Sequence, residues 1–314
     1  MVNGVIVVRK EKGMTSFDVV ARLRRIFGQK KIGHTGTLDP DAEGVLVVCI
    51  GKATKLVDDL SDGTKTYEAE LLLGRVTDTQ DISGTVLEEH EVRVGREEVR
   101  EALLSFGGKQ YQVPPMYSAI KIGGKKLVDL ARKGKVVDRT PREVEFTDIV
   151  ILANEPPSVR FRVTCSKGAY IRTLCEDVGR KLGCGGCMAS LLRTRVRQFD
   201  LSEARTLAEI ARLKAFEDAE GRAEYSFVYP IQNFFPGRPS LTVPSGIDKA
   251  VYNGNKFYLK EGRIPDMPTE DGEVLVYSSS GEFIGVYGKC GEKYSPLRIF
   301  YSPPPRMNEE APWK

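Results

Sequence analysis

Apolar residues recur along this chain in two rhythms. Val45-Leu-Val-Val-Cys-Ile50 is a continuous apolar run between Gly44 and Gly51, the pattern of a strand buried on both faces. Residues 4–8 read as a shorter strand, and residues 66–71 alternate polar with apolar positions, as a strand with one inward face does. Residues 144–152 and 159–164 predict two more strands, parted by the turn residues Asn154-Glu-Pro-Pro157, and 190–196 predict another. The second rhythm is helical. Val19, Val20, Leu23, Ile26 and Phe27 fall on one helix face, with Ser16 placed to cap it and Gly28 to end it. Ile171, Leu174, Cys175, Val178 and Leu182 mark a second helix and leave Arg172 and Asp177 off its apolar face. Further helices are predicted over 52–60, 96–106 and 206–213. After the Pro/Gly-rich stretch Phe235-Pro-Gly-Arg-Pro239 come short β-like runs (257–259, 273–277 and 283–287), which predict a domain boundary and a small β-barrel beyond it.

Composition narrows the class. At 314 residues the chain is long enough for two domains, and 41% hydrophobic with 29% charged residues is the balance of a soluble globular protein. Net charge is only +4, so a nucleic-acid surface must come from local clustering of the 47 basic residues against 43 acidic ones. The apolar run at the N-terminus is too short for the core of a signal peptide and carries its charge on the wrong side. No window approaches the roughly eighteen apolar residues of a membrane span, so a cytoplasmic protein is expected. Six cysteines fit that compartment as reduced, mostly buried thiols. Cys184 and Cys187 form a lone CxxC. Zinc would want a second pair or nearby histidines, and His34 and His90 are remote in sequence, so no metal is expected. Residues 77–84 are rich in oxygen-bearing side chains but lack the terminal acid of an EF-hand loop.

The densest chemistry lies in residues 33–44, Gly-His-Thr-Gly-Thr-Leu-Asp-Pro-Asp-Ala-Glu-Gly. Its glycines permit tight turns, while Pro40 fixes its own φ and pushes Asp39 towards an extended conformation. Asp39 is thus presented on a stiff loop between apolar segments. GHTGTLDPDAEGVL closely resembles the catalytic motif of the bacterial tRNA pseudouridine synthase B (TruB) family. Other strings resemble that family's motifs in the family's order: KEKGMTS (Glu11 where proline is usual), KTYEAELLLG, the DTxDxxG-like residues 78–84, the PPxYSAxKxxG-like stretch from Pro114 (Val128 where tyrosine is common), GAYIRTLCEDVG, and LLRTRV (followed by Arg197 where glycine is usual).

The resemblance covers residues 4–199 and, more weakly, the C-terminal part. It implies an α+β fold: a mixed, mainly antiparallel sheet with flanking helices over 1–235, a thumb insertion at about 114–136, a small PUA-like RNA-binding β-barrel over 238–309, and a frayed tail over 310–314. It implies a site as well. Asp39 would be the catalytic carboxylate, Arg172 would pair with it, Tyr67 would stack on the target base, and Tyr170 would line the pocket. A leucine of the 190–196 strand, Leu192 rather than Leu191, would pack near the pocket. His34, Lys10, Arg22, Lys31, Lys121, Lys125, Lys126 and Arg132 would contact RNA.

The reaction implied is isomerisation of the uridine at position 55 in the TΨC loop of tRNA. One glycosidic link is broken and remade through another ring atom, so nothing is oxidised, no group is imported, and no cofactor or metal is expected. The T-arm stem-loop is the expected partner, with no guide RNA, no protein partner and no membrane, and a monomer is expected. Two other readings compete. One is a guide-RNA-dependent relative, against which the thumb speaks. The other is a non-catalytic RNA chaperone using the same pocket, a role that could also accompany catalysis.

Overall fold

The computed structural model describes residues 1–222, 224–260 and 267–301. Residues 302–314, and with them the expected frayed tail and the end of the expected PUA-like segment, lie outside the described residues. The chain opens with β1 (Gly4–Lys10) and α1 (Ser16–Phe27). Thr15, not Ser16, caps α1: its side chain accepts from the Asp18 N–H, and the Asp18 carboxylate accepts from the Thr15 N–H. Ser16 serves elsewhere. Its hydroxyl accepts from the Leu38 N–H at 2.9 Å and lies 3.2 Å from the Leu38 carbonyl, which ties α1 to the loop before Asp39. That loop runs between β2 (Ile32–His34) and β3 (Glu43–Ile50).

A 3₁₀ turn and α2 (Val57–Ser61) lead to β4 (Lys65–Leu73), and β5 (Arg75–Thr77) pairs with β6 (Val86–Glu89) around the 78–85 loop. Then come α3 (Arg96–Leu104) and β7 (Gly108–Gln112). The expected thumb holds a hairpin, β8 (Lys121–Ile122) and β9 (Lys125–Lys126), followed by α4 (Leu127–Ala131). Two long strands, β10 (Arg142–Glu155) and β11 (Ser158–Cys165), precede α5 (Ile171–Lys181), β12 (Gly186–Val196), β13 (Phe199–Asp200) and α6 (Leu207–Ala219).

Among the described residues nine strands form one sheet in the order β1-β3-β12-β4-β11-β10-β7, with β2 added on β3 and β13 on β12. Its pairings are antiparallel except between β3 and β12, which run parallel. The period-two pattern of β4 buries Tyr67, Ala69, Leu71 and Leu73 against α3 and α5, in a core with Val99, Phe161, Leu174 and Val178. The parallel junction sets the site. Gly44 lies opposite Arg193 there at φ +111, and a Cβ on it would run into the Arg193 backbone. Only glycine lets β3 and β12 approach so closely.

The C-terminal segment holds β14 (Ser240–Thr242), α7 (Ser245–Tyr252), β15 (Phe257–Tyr258), β16 (Gly272–Tyr277), β17 (Phe283–Cys290) and β18 (Lys293–Ile299). Its strands curl into a half-barrel sheet, β14-β16-β17-β18-β15, around Val251, Phe257, Val274, Tyr287 and Tyr294. The half-barrel is seated on the main sheet: Leu275, Val286 and Phe300 share a core with Leu56 and Phe235, Lys55 donates to the Ile299 carbonyl at 2.6 Å, and Arg298 pairs with Asp59. The fold is α+β with a mixed, mainly antiparallel sheet, as expected. Among the described residues no helix is long and apolar enough to cross a membrane, and no group of three or more His, Cys, Asp or Glu side chains is placed to hold a metal ion. All six cysteines are free thiols, five of them buried.

Gly44→Ala is expected to destabilise the chain by about 2 kcal/mol or more, since it adds a backbone clash to an unfavourable φ. Urea unfolding of the variant against wild type measures this.

Candidate active site

Asp39 sits within the loop between β2 and β3, and Arg172 reaches it from the first turn of α5. Arg172 Nε lies 2.9 Å from one carboxylate oxygen and Nη2 donates to the other at 3.4 Å, a side-on fork. Both terminal nitrogens also donate to backbone carbonyls. Nη1 donates to the Thr79 carbonyl and Nη2 to the Tyr117 carbonyl, both at 2.9 Å, while Asp81 stands 3.9 Å from Nε. The Arg172 side chain is only 5% exposed, whereas Asp39 keeps 39% of its side-chain surface, facing a cleft. Burial among the surrounding protein pushes the Asp39 carboxyl above the usual carboxylate range; Arg172 pulls it back and Asp81 adds to the rise.

The Asp39 loop is braced from two more sides. Lys10, at the end of β1, is fully buried and donates to the carbonyls of Glu11, Pro40 and Ala42 at 3.1, 3.0 and 2.7 Å. Burial lowers its pKa to about 8, with Asp39 and Asp41 drawing it back up. Three acceptors match the three N–H groups of an ammonium. Lys10 therefore has no surface left for an RNA phosphate, and the expectation that it contacts RNA is corrected: it holds the loop. On the other side Arg193, 1% exposed, donates to the carbonyls of Val45, Thr37 and Gly36.

A cavity of about 290 Å³ opens beside Asp39, at the small end of ligand pockets. Its lining includes Thr37, Asp39, Lys65, Tyr67, Tyr170, Arg172, Leu191 and Arg193. Four expected residues, Asp39, Tyr67, Tyr170 and Arg172, thus meet in one place. Tyr67 is buried beside the Arg193 guanidinium, and burial raises its phenol above the ordinary value. Tyr170 is pinned through its backbone, its N–H donating to Gln112 at 2.8 Å and its carbonyl accepting from the same amide at 3.0 Å.

Leu192 does not join them. Leu191 lines the cavity, while Leu192 faces a second cleft with Arg9, Lys12 and Glu43. A register shift between Met188 and Ser190 breaks the strict alternation of β12 and sets which leucine turns inward. Arg193 shares the inward parity of Leu191 and was not singled out from sequence; a charged residue at an apolar position of a strand is the signal that could have found it. His34 is half-buried at the end of β2, with its pKa lowered by burial and by Arg193. Arg22, Lys31, Lys121, Lys125, Lys126 and Arg132 are exposed. Arg132, Val128 and Tyr117 flank a further cleft on the other side of Arg172.

The chain resembles known proteins along most of its length. The family model described as TruB family pseudouridylate synthase (N terminal domain) matches residues 24–171, and that described as tRNA pseudouridylate synthase B C-terminal domain matches 172–234, so the Asp39–Arg172 pair bridges the two. The chain is 48% identical over 256 residues to tRNA pseudouridine synthase B of Alkaliphilus oremlandii, covering 82% of this chain and 83% of that one. To the enzyme of the same name from Lachnoclostridium phytofermentans it is 46% identical, covering 95% and 99%. Among solved structures, a Cbf5–Nop10–Gar1 complex contains a chain with 25% identity and a TM-score of 0.64, covering 95% of this chain and 85% of that one. With such identity to relatives aligned nearly from end to end, the chain belongs to the TruB family of tRNA pseudouridine synthases and is an isomerase.

Proposed function

We propose that the chain isomerises the uridine at position 55 in the TΨC loop of tRNA, with Asp39 as the reacting carboxylate. The observation that carries this reading is the side-on Asp39–Arg172 fork on the wall of a small cavity. The C1′–N1 bond breaks, the uracil turns, C5 joins C1′, the C5 proton leaves, and the freed N1 takes up a proton. Asp39 acts as nucleophile or base; addition to the base, attack on the ribose, or removal of a sugar proton each needs its oxygen unprotonated. Arg172 orients that oxygen and favours its charge. Tyr67, with its phenol pKa raised, stays neutral and stacks on the base.

The uridine must leave the loop stack, which costs on the order of a few kcal/mol and must be offset by contacts outside the cavity. The exposed cations Arg22, Lys31, Lys121, Lys125, Lys126 and Arg132 support that role, with the thumb ordering on RNA and the half-barrel adding a PUA-like contact. His34, its pKa lowered by burial, contacts the reorganised loop without serving as base. The lysine-rich thumb hairpin supports action on bare tRNA, as a cytoplasmic monomer. A second activity, tRNA folding in the same cavity, would not need the Asp39 charge.

Asp39→Asn is expected to lose at least about a thousandfold in pseudouridine formation while binding tRNA as wild type does. Chemical mapping of pseudouridine in a tRNA transcript, with filter binding in parallel, checks both; loss of binding by a folded variant would contradict this division of roles. Arg172→Lys should cost about a hundredfold or more in kcat, because an ammonium cannot reproduce the fork.

Because the Asp39 pKa is raised in the folded chain, the protonated form is favoured there. Its contribution to stability is present below the unfolded pKa and is lost as pH rises through the folded one. The stability advantage of Asp39→Asn over wild type should therefore grow between acid and neutral pH, as read from melting curves. The acid limb of kcat should lie above the range of a free carboxylate. Parallel stability curves, or an acid limb at the ordinary value, would show that Asp39 is not held in this state.

A further inference from the structure

One face of α5 grips three consecutive residues of the 78–85 loop. Arg172 donates to the Thr79 carbonyl, Thr173 donates to the Gln80 side-chain oxygen at 2.7 Å, and Arg172 Nε stands 3.9 Å from Asp81. The Gln80 amide in turn donates to Glu176, one helical turn beyond Arg172. Gln80 also has a left-handed backbone, φ +66, which is uncommon for a residue of this type and persists only where the surroundings over-determine it. This twist sends the Gln80 side chain down onto α5 while its two neighbours offer oxygen atoms to Arg172.

We propose that Gln80 is a positioning residue for the isomerase: its side chain locks the loop against Thr173 and Glu176 so that Thr79 and Asp81 hold Arg172 in its fork on Asp39. The inference rests on reading Asp39 and Arg172 as the reacting centre. Gln80 lines neither the base cavity nor the cleft beyond Arg172, although Thr79 and Asp81 both border that cleft, so it acts through them. The loop does not depend on this side chain for its existence. Met188 N–H donates to the Gln80 carbonyl at 3.0 Å, Ile82 N–H to the Met188 carbonyl at 3.0 Å, Thr77 to the Asp81 carbonyl at 2.7 Å, and Thr85 N–H to Asp78 at 2.8 Å. Removing the Gln80 amide leaves these in place and frees only the sideways attachment to α5. Arg180 and Asp177 on α5, and Arg139 from before β10, also face Glu176. Asp39 is faced by Arg172, Asp81 and Lys10.

The test uses the full chain and a tRNA transcript, with three variants: Gln80→Ala, Gln80→Glu, and the swap Gln80→Glu with Glu176→Gln. Gln80→Ala should lower kcat about tenfold or more with KM within about twofold of wild type, because a small misplacement of a catalytic group is costly. It should also move the acid limb of kcat to higher pH, since a loosened Arg172 supports the Asp39 charge less. Gln80→Glu sets two carboxylates against each other and should be at least as impaired. The swap rebuilds an amide–carboxylate hydrogen bond in reverse and should recover kcat to within about threefold of wild type, the coupling expected of direct partners. Three results would each overturn the proposal: wild-type kcat in Gln80→Ala, a kcat loss with an unmoved acid limb, or a swap no better than Gln80→Glu. An Asp39→Asn variant that stays active would instead defeat the reading of the centre itself.

Discussion

A single buried guanidinium sets the terms for this site. Arg172 is nearly sealed from water, and a cation so placed must have its donors matched or its desolvation would be severely destabilising. The acceptors come from separate stretches of chain: the Asp39 loop, the loop between β5 and β6, and the segment before β8 at Tyr117. Satisfying one side chain therefore draws three loops to the first turn of α5. Asp39 receives the fork while keeping an open side towards the cavity, so the carboxylate is oriented without being blocked.

The Asp39 loop is fixed by cations from β1, α5 and β12, and each does a different task. Lys10 gathers carbonyls from beneath, Arg193 gathers carbonyls from the strand beside it, and Arg172 alone meets the carboxylate. Backbone carbonyls suit the first two because they take up donors without adding charge. The Asp39 carboxyl group is thereby left with an open side towards the cavity. Ser16 completes the frame by binding the Leu38 backbone, which ties the residue before Asp39 to α1. The price of this arrangement is a carboxylate that burial makes harder to ionise, and Arg172 offsets part of it.

Much of this was legible from residue order. The run from Val45 to Ile50, the alternation after Thr66, the helical face beginning at Ile171, and the stiff turn around Pro40 all report local preferences, and those elements formed where they were expected. The misreadings arose where a distant partner decided the outcome. Ser16 and Thr15 are both able caps, and the choice fell to Thr15 because Ser16 was engaged by a loop 22 residues on. Lys10 looked like one more surface cation because its carbonyl acceptors at Pro40 and Ala42 lie 30 and 32 residues away. Leu191 replaced Leu192 because an irregularity in β12 resets the parity, and one residue of shift turns a side chain to the opposite face.

The central claim is that this chain, alone, turns a T-loop uridine within the Asp39 cavity. The most direct measurement is tritium release from a T-arm stem-loop RNA labelled at uridine C5, with the purified chain in excess and no guide RNA or protein added. Release should match pseudouridine formed, one for one, at the single target uridine. No release from the stem-loop or from intact tRNA would contradict it.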